Sequence, residues 1–214
     1  MNVLTAVSSL MRRLAGWKVL ITTGALFPTA AVVFFASSLP FAVPTVTAAC
    51  GQPPPDIRFF TSGDQVRQFL TICGQGGRAA YQDMQIADLF YPALSGLFIT
   101  AALAMVLTRL ARPASRVVAL AALPLLGSVF DYLENAAAWV TMTAYPQHAG
   151  PVTDLLGVAS IGKQVCAWAS WLILITAIGM TLVRSARRRH PRRTTIESSA
   201  TDVTDQQKLV TTTP

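Results

Sequence analysis

Four long apolar runs dominate the chain, at about Trp17–Leu39, Ala87–Thr108, Val117–Thr143 and Leu155–Val183. An α-helix needs about 20 apolar residues to cross roughly 30 Å of hydrocarbon, and each run reaches that length. Inside lipid a segment must satisfy its own backbone N–H and C=O groups, so runs of this kind cross only as helices. Over 214 residues, 52% hydrophobic and 13% charged side chains leave too little polar surface for an ordinary water-soluble domain. The expected fold is all-α, an integral membrane four-helix bundle.

The basic residues orient it. Arg12, Arg13 and Lys18 flank the first run. Arg109, Arg112 and Arg116 fill the second connection, and Arg184, Arg187, Arg188, Arg189, Arg192, Arg193 and Lys208 lie in the tail. These are thirteen of the seventeen Lys and Arg, whereas only Arg58, Arg67 and Arg78 fall in the opposite loop and Lys163 lies within a run. Lys and Arg are held on the cytoplasmic side, so both termini are expected there, with loops of about 40–86 and 144–154 outside. The net charge of +7 is then a topology signal, and nucleic acid is not the expected partner. Cys50 and Cys73 share the long outer loop, where an oxidising compartment permits a disulfide, while Cys166 sits in the fourth run. Arginine outnumbers lysine 14 to 3 and alanine is frequent, which suggests a high-GC bacterium and its plasma membrane.

Residues 1–16 read as a short basic leader. Thr47-Ala48-Ala49 before Cys50 imitates a cleavage site, but a signal peptide of about 15–30 residues is too short to reach it, so the first run is expected to remain a span. Pro40, Pro44 and Pro53-Pro54-Pro55 predict extended chain. Ser62-Gly63-Asp64 predicts a helix start, followed over about 64–73 by Val66, Phe69, Leu70 and Cys73 at amphipathic spacing. Gly74, Gly76 and Gly77 then break the chain, and Ala79–Arg109 reads as one long helix. Pro28, Pro92 and Pro124 lie within spans and are candidates for kinks. The tail, 184–214, is polybasic and then Ser/Thr-rich, so disorder is expected, with Arg187, Arg188, Arg189, Arg192 and Arg193 near anionic lipid head groups.

The third run is unusual in carrying Asp131, Glu134 and Asn135. Ionisable groups in hydrocarbon are costly and face other helices or a cavity. At about 1.5 Å per residue from the basic flanks, Asp131 lies about 22 Å deep, Glu134 about 27 Å, Asp88 and Lys163 about 31 Å and Ser37 about 28 Å. Polar residues of all four runs thus converge in the outer half of the membrane. By helical spacing Ser128, Asp131, Glu134, Asn135, Ala138 and Thr141 form one face. Asp88, Tyr91, Pro92 and Ser95 form a second, and Ser160, Lys163, Gln164, Ala167 and Ser170 a third. The candidates for ligand or proton binding are therefore Asp131, Glu134, Asn135, Asp88, Tyr91, Lys163 and Gln164. One acid is expected to pair with Lys163 and a second to hold a proton or a cation, Asp131 being the first choice. Interhelical hydrogen bonding without any ligand is the plain alternative.

Other chemistry is poorly supported. His148 lacks a spaced partner for a metal site and His190 lies in the basic tail, so no metal or cofactor is expected. There is no CxxC, which separates the chain from four-span quinone-linked disulfide oxidoreductases, and no phosphate loop, nucleophile elbow or HExxH.

Tyr91–Thr100, YPALSGLFIT, and Leu123–Ala137, LPLLGSVFDYLENAA, resemble segments of small bacterial four-span proteins that carry an Asp-x-x-Glu-Asn helix. That resemblance covers the centre of the chain and implies no activity. The layout of four spans with a disulfide in the first outer loop is similar to claudin-type proteins, whose tryptophan-cysteine signature is lacking. Three functions fit: binding or translocating a proton, cation or small lipid-like ligand; lipid or isoprenoid modification with Asp131 or Glu134 as acid or base; or an accessory subunit packed through its polar stripe against a membrane partner or a second copy.

Overall fold

The computed structural model describes residues 3–111, 115–147 and 150–189. These form α1 (Val3–Leu14), α2 (Trp17–Ala36), α3 (Val43–Cys50), α4 (Gly63–Ala87), α5 (Tyr91–Leu110), α6 (Leu123–Ala144) and α7 (Val152–Arg189). Short 3-10 pieces stand at Pro55–Ile57 and Arg116–Ala122, and there is no strand among the described residues. Four segments are long and apolar enough to cross a membrane, Trp17–Ala36, Gly63–Leu110, Arg116–Ala144 and Val152–Arg187. By length and composition this is an all-helical, multi-pass membrane chain. It divides into two compact units at Ala177 and Ile178. The described part of the second is helical, with Met180, Leu182 and Val183 exposed. The tail is therefore helical as far as Arg189, not disordered from 184. Arg112, Pro113, His148, His190, Arg192 and Arg193 lie outside the described residues.

Prolines set the helix starts. Pro44, Pro92 and Pro124 each occupy the first turn of α3, α5 and α6, where the missing N–H has no intrahelical acceptor to lose. Three expectations change for that reason. Chain predicted as extended around Pro44 is the helix α3. The expected single helix Ala79–Arg109 is interrupted, because α4 ends at Ala87 and the chain turns through Asp88, Leu89 and Phe90 before α5. Pro92 and Pro124 open helices and kink none, leaving Pro28 inside α2. The first six residues or so of the third run are wound as the 3-10 piece Arg116–Ala122.

The leader is also ordered. Met11 of α1 is buried among Leu103, Leu107, Val118 and Ala121, and the Arg12 guanidinium donates to the Ser115 carbonyl at 3.3 Å. α1 thus packs on α5 and on the 3-10 piece before α6.

α4 begins with a reciprocal cap. Ser62 Oγ accepts from the Gln65 N–H at 3.3 Å, and Gln65 Oε1 accepts from the Ser62 N–H at 2.9 Å. Where spacing predicted a helix of about 64–73, α4 continues to Ala87 with one bend at Gly74, whose φ of 63° and ψ of −172° are open to glycine alone. Neither a Cβ on Gly74 nor one on Gly76 would meet another atom within 4 Å. The two sites therefore isolate backbone effects. Gly74→Ala is expected to destabilise by about 1–3 kcal/mol through strain, whereas Gly76→Ala is expected to stabilise by about 0.5–1 kcal/mol through helix propensity. Thermal unfolding in nanodiscs checks the pair, and shifts of the same sign would contradict this account.

The apolar core has two parts. Near the disulfide, Phe34, Val46, Val66, Phe69, Leu70, Tyr81, Met84, Ala137 and Leu156 pack together. Toward Arg109 and Arg116, Ile99, Leu103, Leu107, Val118, Leu174 and Ala177 join Met11. Between these clusters α5, α6 and α7 carry Ser95, Ser128, Asp131, Glu134, Asn135, Lys163 and Gln164 among apolar neighbours, and these polar side chains build the candidate site.

Candidate functional site

α6 presents two polar faces where the sequence suggested one. At 100° per residue, Ser128, Tyr132 and Asn135 fall together, about 90° round the helix from Asp131 and Glu134. The first group clamps the turn between α4 and α5. Ser128 Oγ donates to the Pro92 carbonyl at 2.6 Å, Tyr132 Oη to the Leu89 carbonyl at 2.8 Å, and Asn135 Nδ2 to Asp88 Oδ2 at 2.9 Å. Asp88 is therefore partnered by Asn135.

The second group meets α7. Lys163 Nζ donates to Asp131 Oδ1 at 3.1 Å, forms an ion pair with Glu134 Oε2, and reaches the backbone carbonyl of Asp56 at 3.4 Å. Three acceptors match the three protons of an ammonium. The Glu134 side chain is 0% exposed, against 17% for Asp131 and 16% for Lys163. Gly127 against Cys166 and Gly162 against the Phe130 ring allow α6 and α7 to approach this closely.

The loop after α3 contributes the part that sequence reasoning missed. Tyr81 Oη donates to Asp56 Oδ1 at 2.7 Å, and Gln85 Nε2 donates to Asp56 Oδ2 at 2.7 Å and to Tyr81 Oη at 2.8 Å. Two further bonds hold this loop on α7 and on itself. The Thr61 N–H donates to Ser160 Oγ at 3.1 Å, and Thr61 Oγ1 to the Pro55 carbonyl at 2.9 Å. A signal was available on α4, since Val66, Leu70, Cys73, Gly77, Tyr81 and Met84 continue one buried stripe and bring Tyr81 and Gln85 inward. For Asp56 there was none, because it follows a proline run in a loop without periodicity.

The remaining candidates are placed as follows. Tyr91 is held among Phe27, Phe34 and Phe35, with ring centroids 5.3–5.8 Å away. Tyr91 and Gln164 line a cleft of about 160 Å³ together with Asp56, Asp88, Asp131 and Lys163. A second cleft of about 80 Å³ extends from Asp131 and Lys163 along Gly96, Gly127 and Ser170. The Asp131–Lys163 pair is thus a wall of both. Ser37 does not join them, because its hydroxyl donates to Val33 and accepts from the Leu39 N–H, closing its own helix end. Cys50 and Cys73 are disulfide-bonded and Cys166 is free and buried. Among the described residues no three His, Cys, Asp or Glu side chains converge in a metal-holding arrangement.

Burial pushes the Asp56 carboxyl up to about 7, with Glu134 and Asp131 of α6 acting in the same direction. The Tyr81 hydrogen bond and Lys163 of α7 oppose it without prevailing. The folded chain therefore binds this proton more tightly than an unfolded chain, whose carboxyl titrates near 3.8. Stability contributed by Asp56 is greatest below about pH 4 and declines as pH rises to about 7. In Asp56→Asn, which keeps an acceptor for Tyr81, the melting temperature is expected to lose that slope between pH 4 and 7. Equal slopes in both proteins would contradict the assignment.

Fold and cluster together define a class, a multi-pass helical membrane protein with ionisable groups paired in its interior. Beyond that class, the chain matches no family model, no curated protein and no solved structure.

Proposed function

We propose that this protein binds protons and passes them across a bacterial cytoplasmic membrane through the carboxylates around Lys163. The observation that carries the reading is a charge imbalance: Asp56, Asp88, Asp131 and Glu134 stand in one polar layer with a single ammonium. Lys163 compensates one of these acids. Leaving the others ionised and uncompensated away from water is costly, so they call for protons or cations. The ammonium already occupies the point where Asp131 and Glu134 converge, which favours the proton over a metal ion that would need a shell of oxygens there.

A path is compatible with the two clefts. Protons enter at the wider one, where Asp56, Asp88 and Tyr91 stand, and reach Asp131 at the wall between the clefts. Protonating Asp131 weakens its bond to Lys163 while the ammonium stays with Glu134, and the narrower cleft leads on toward Ser170. The distribution of Lys and Arg supports an extracytoplasmic opening for the wider cleft, with both termini cytoplasmic. Arg187 and the arginines beyond it then lie beside anionic head groups.

The test uses the full chain in liposomes with an entrapped pH-sensitive dye. An imposed pH difference is expected to collapse faster than in empty liposomes, and Asp131→Asn and Glu134→Gln are expected to abolish the difference while retaining helicity and the disulfide. Wild-type liposomes no leakier than empty ones, or variants that conduct normally, would refute the reading.

A further inference from the structure

The wider cleft offers more than a proton needs. Its volume is about 160 Å³, and the Phe34, Phe35 and Tyr91 rings wall it together with Asp88, Asp131 and Lys163. The Phe35 ring is 41% exposed and stands edge-on to Tyr91 at 5.3 Å. Asp88 is only 8% exposed, and its Oδ2 accepts from the Asn135 amide at 2.9 Å. Asp131 Oδ1 likewise accepts from Lys163 at 3.1 Å. The remaining oxygens, Asp88 Oδ1 and Asp131 Oδ2, accept from no described residue, and neither is among the buried atoms sealed from solvent. The surface that Asp88 keeps therefore includes the oxygen without a donor.

An occupant that suits this oxygen carries positive charge. Tyr91 and Gln164 also line the cleft and donate to neither carboxylate. Turned toward one, such a neutral donor would supply a hydrogen bond and leave the charge uncompensated. Lys163 is already shared by Asp131, Glu134 and the Asp56 carbonyl. A metal ion takes several oxygens at once, and among the described residues no three His, Cys, Asp or Glu side chains are placed to hold one. A proton would neutralise Asp88 and leave the aromatic walls unused. A cation with a carbon body uses both, because a ring attracts an ammonium and also packs against apolar surface.

We infer that this cleft binds a small organic ammonium with at least one N–H, which donates to Asp88 Oδ1 while the carbon body lies against Phe35 and Tyr91. Repulsion by Lys163 sets the ammonium at Asp88 and not at Asp131. The inference extends the proton reading without resting on it. Proton and ammonium are alternatives at Asp88, and binding there requires passage of neither.

The experiment is equilibrium dialysis of the full chain in mild detergent, at neutral pH, against radiolabelled cyclohexylammonium, cyclohexanol and cyclohexyltrimethylammonium, which differ only in the head. Binding is the excess over protein-free detergent. Cyclohexylammonium is expected to bind roughly tenfold more tightly than either of the others, the discrimination of a charged hydrogen bond. Asp88→Asn keeps an acceptor for Asn135 and is expected to abolish that preference. Phe35→Leu changes an exposed ring for another apolar side chain, so the fold is expected to persist while affinity falls about threefold. Equal binding of cyclohexanol would mean that apolar bodies enter whatever their charge, and equal binding of the trimethylammonium probe would mean attraction without a donated hydrogen bond. A preference that survives Asp88→Asn, or affinity unchanged in Phe35→Leu, would place the ammonium elsewhere. Each of these overturns the inference. A chain that shows the preference yet leaves the liposome pH difference standing would refute proton passage alone and uphold this site.

Discussion

Lys163→Met is expected to destabilise the protein by about 3–5 kcal/mol, the cost of breaking a buried ion pair from one side. Methionine nearly preserves the length and volume of lysine, so the loss is electrostatic and not a cavity. What disappears is an ammonium held by Asp131 at 3.1 Å, by Glu134 and by the Asp56 carbonyl at 3.4 Å. Glu134 bears the consequence, because its side chain is 0% exposed and, among the described residues, no other cation is paired with it. Glu134→Gln placed in the same chain is expected to recover most of the loss, since replacing both members of a buried pair is often close to neutral. Unfolding monitored by tryptophan fluorescence in mild detergent measures all three proteins. A single variant as stable as wild type, or a double variant no better than the single, would show that Lys163 does not compensate Glu134.

Removing the disulfide is the second large effect. Cys50 ends α3 and Cys73 precedes the bend in α4, 23 residues apart in sequence. Closing a loop of that length restricts the unfolded chain by about 3 kcal/mol. For a chain of this size that corresponds to roughly 10 °C in melting temperature. The bond passes close over the backbone, since a Cβ added at Gly77 would lie 2.9 Å from the Cys50 sulfur. Reduction therefore acts beyond the loop. α3 and α4 pack together, and α4 carries the Tyr81 and Gln85 that hold Asp56. A thermal scan with and without reductant, repeated on Cys50→Ala/Cys73→Ala, is expected to show the same loss by both routes. Unchanged melting on reduction would refute it.

These two expectations differ in how far they could be read from residues alone. Four apolar segments were legible because their length is imposed by hydrocarbon thickness and needs no knowledge of neighbours. The start of α4 at Ser62 was legible because a reciprocal cap involves only residues three apart. Cys50 and Cys73 were legible because both fall in one loop between apolar runs. Asp131, Glu134, Asn135, Asp88 and Lys163 stood out for the same local reason, a polar group in an apolar run needing an explanation.

Partnership was not legible. Helical spacing gathered Asp131, Glu134 and Asn135 onto one face, yet the two faces of α6 diverge enough that Asn135 meets the α4–α5 turn and the acids meet α7. The turn at Asp88–Phe90 followed from Pro92, but whether a proline kinks a helix or opens one depends on whether the preceding residues can leave the helix and be satisfied elsewhere. Here Asn135 and Tyr132 receive them. Asp56 entered the site only because a loop folds across onto Tyr81, Gln85 and Ser160. By itself the sequence determined how many times the chain can cross a membrane, which residues are too polar to face lipid, and which cysteines share a loop, because each of these is a property of one segment against its solvent. Only the tertiary structure decided that Lys163 serves two acids at once and that Asp56 completes the cluster, because each depends on the distance between segments far apart in the chain.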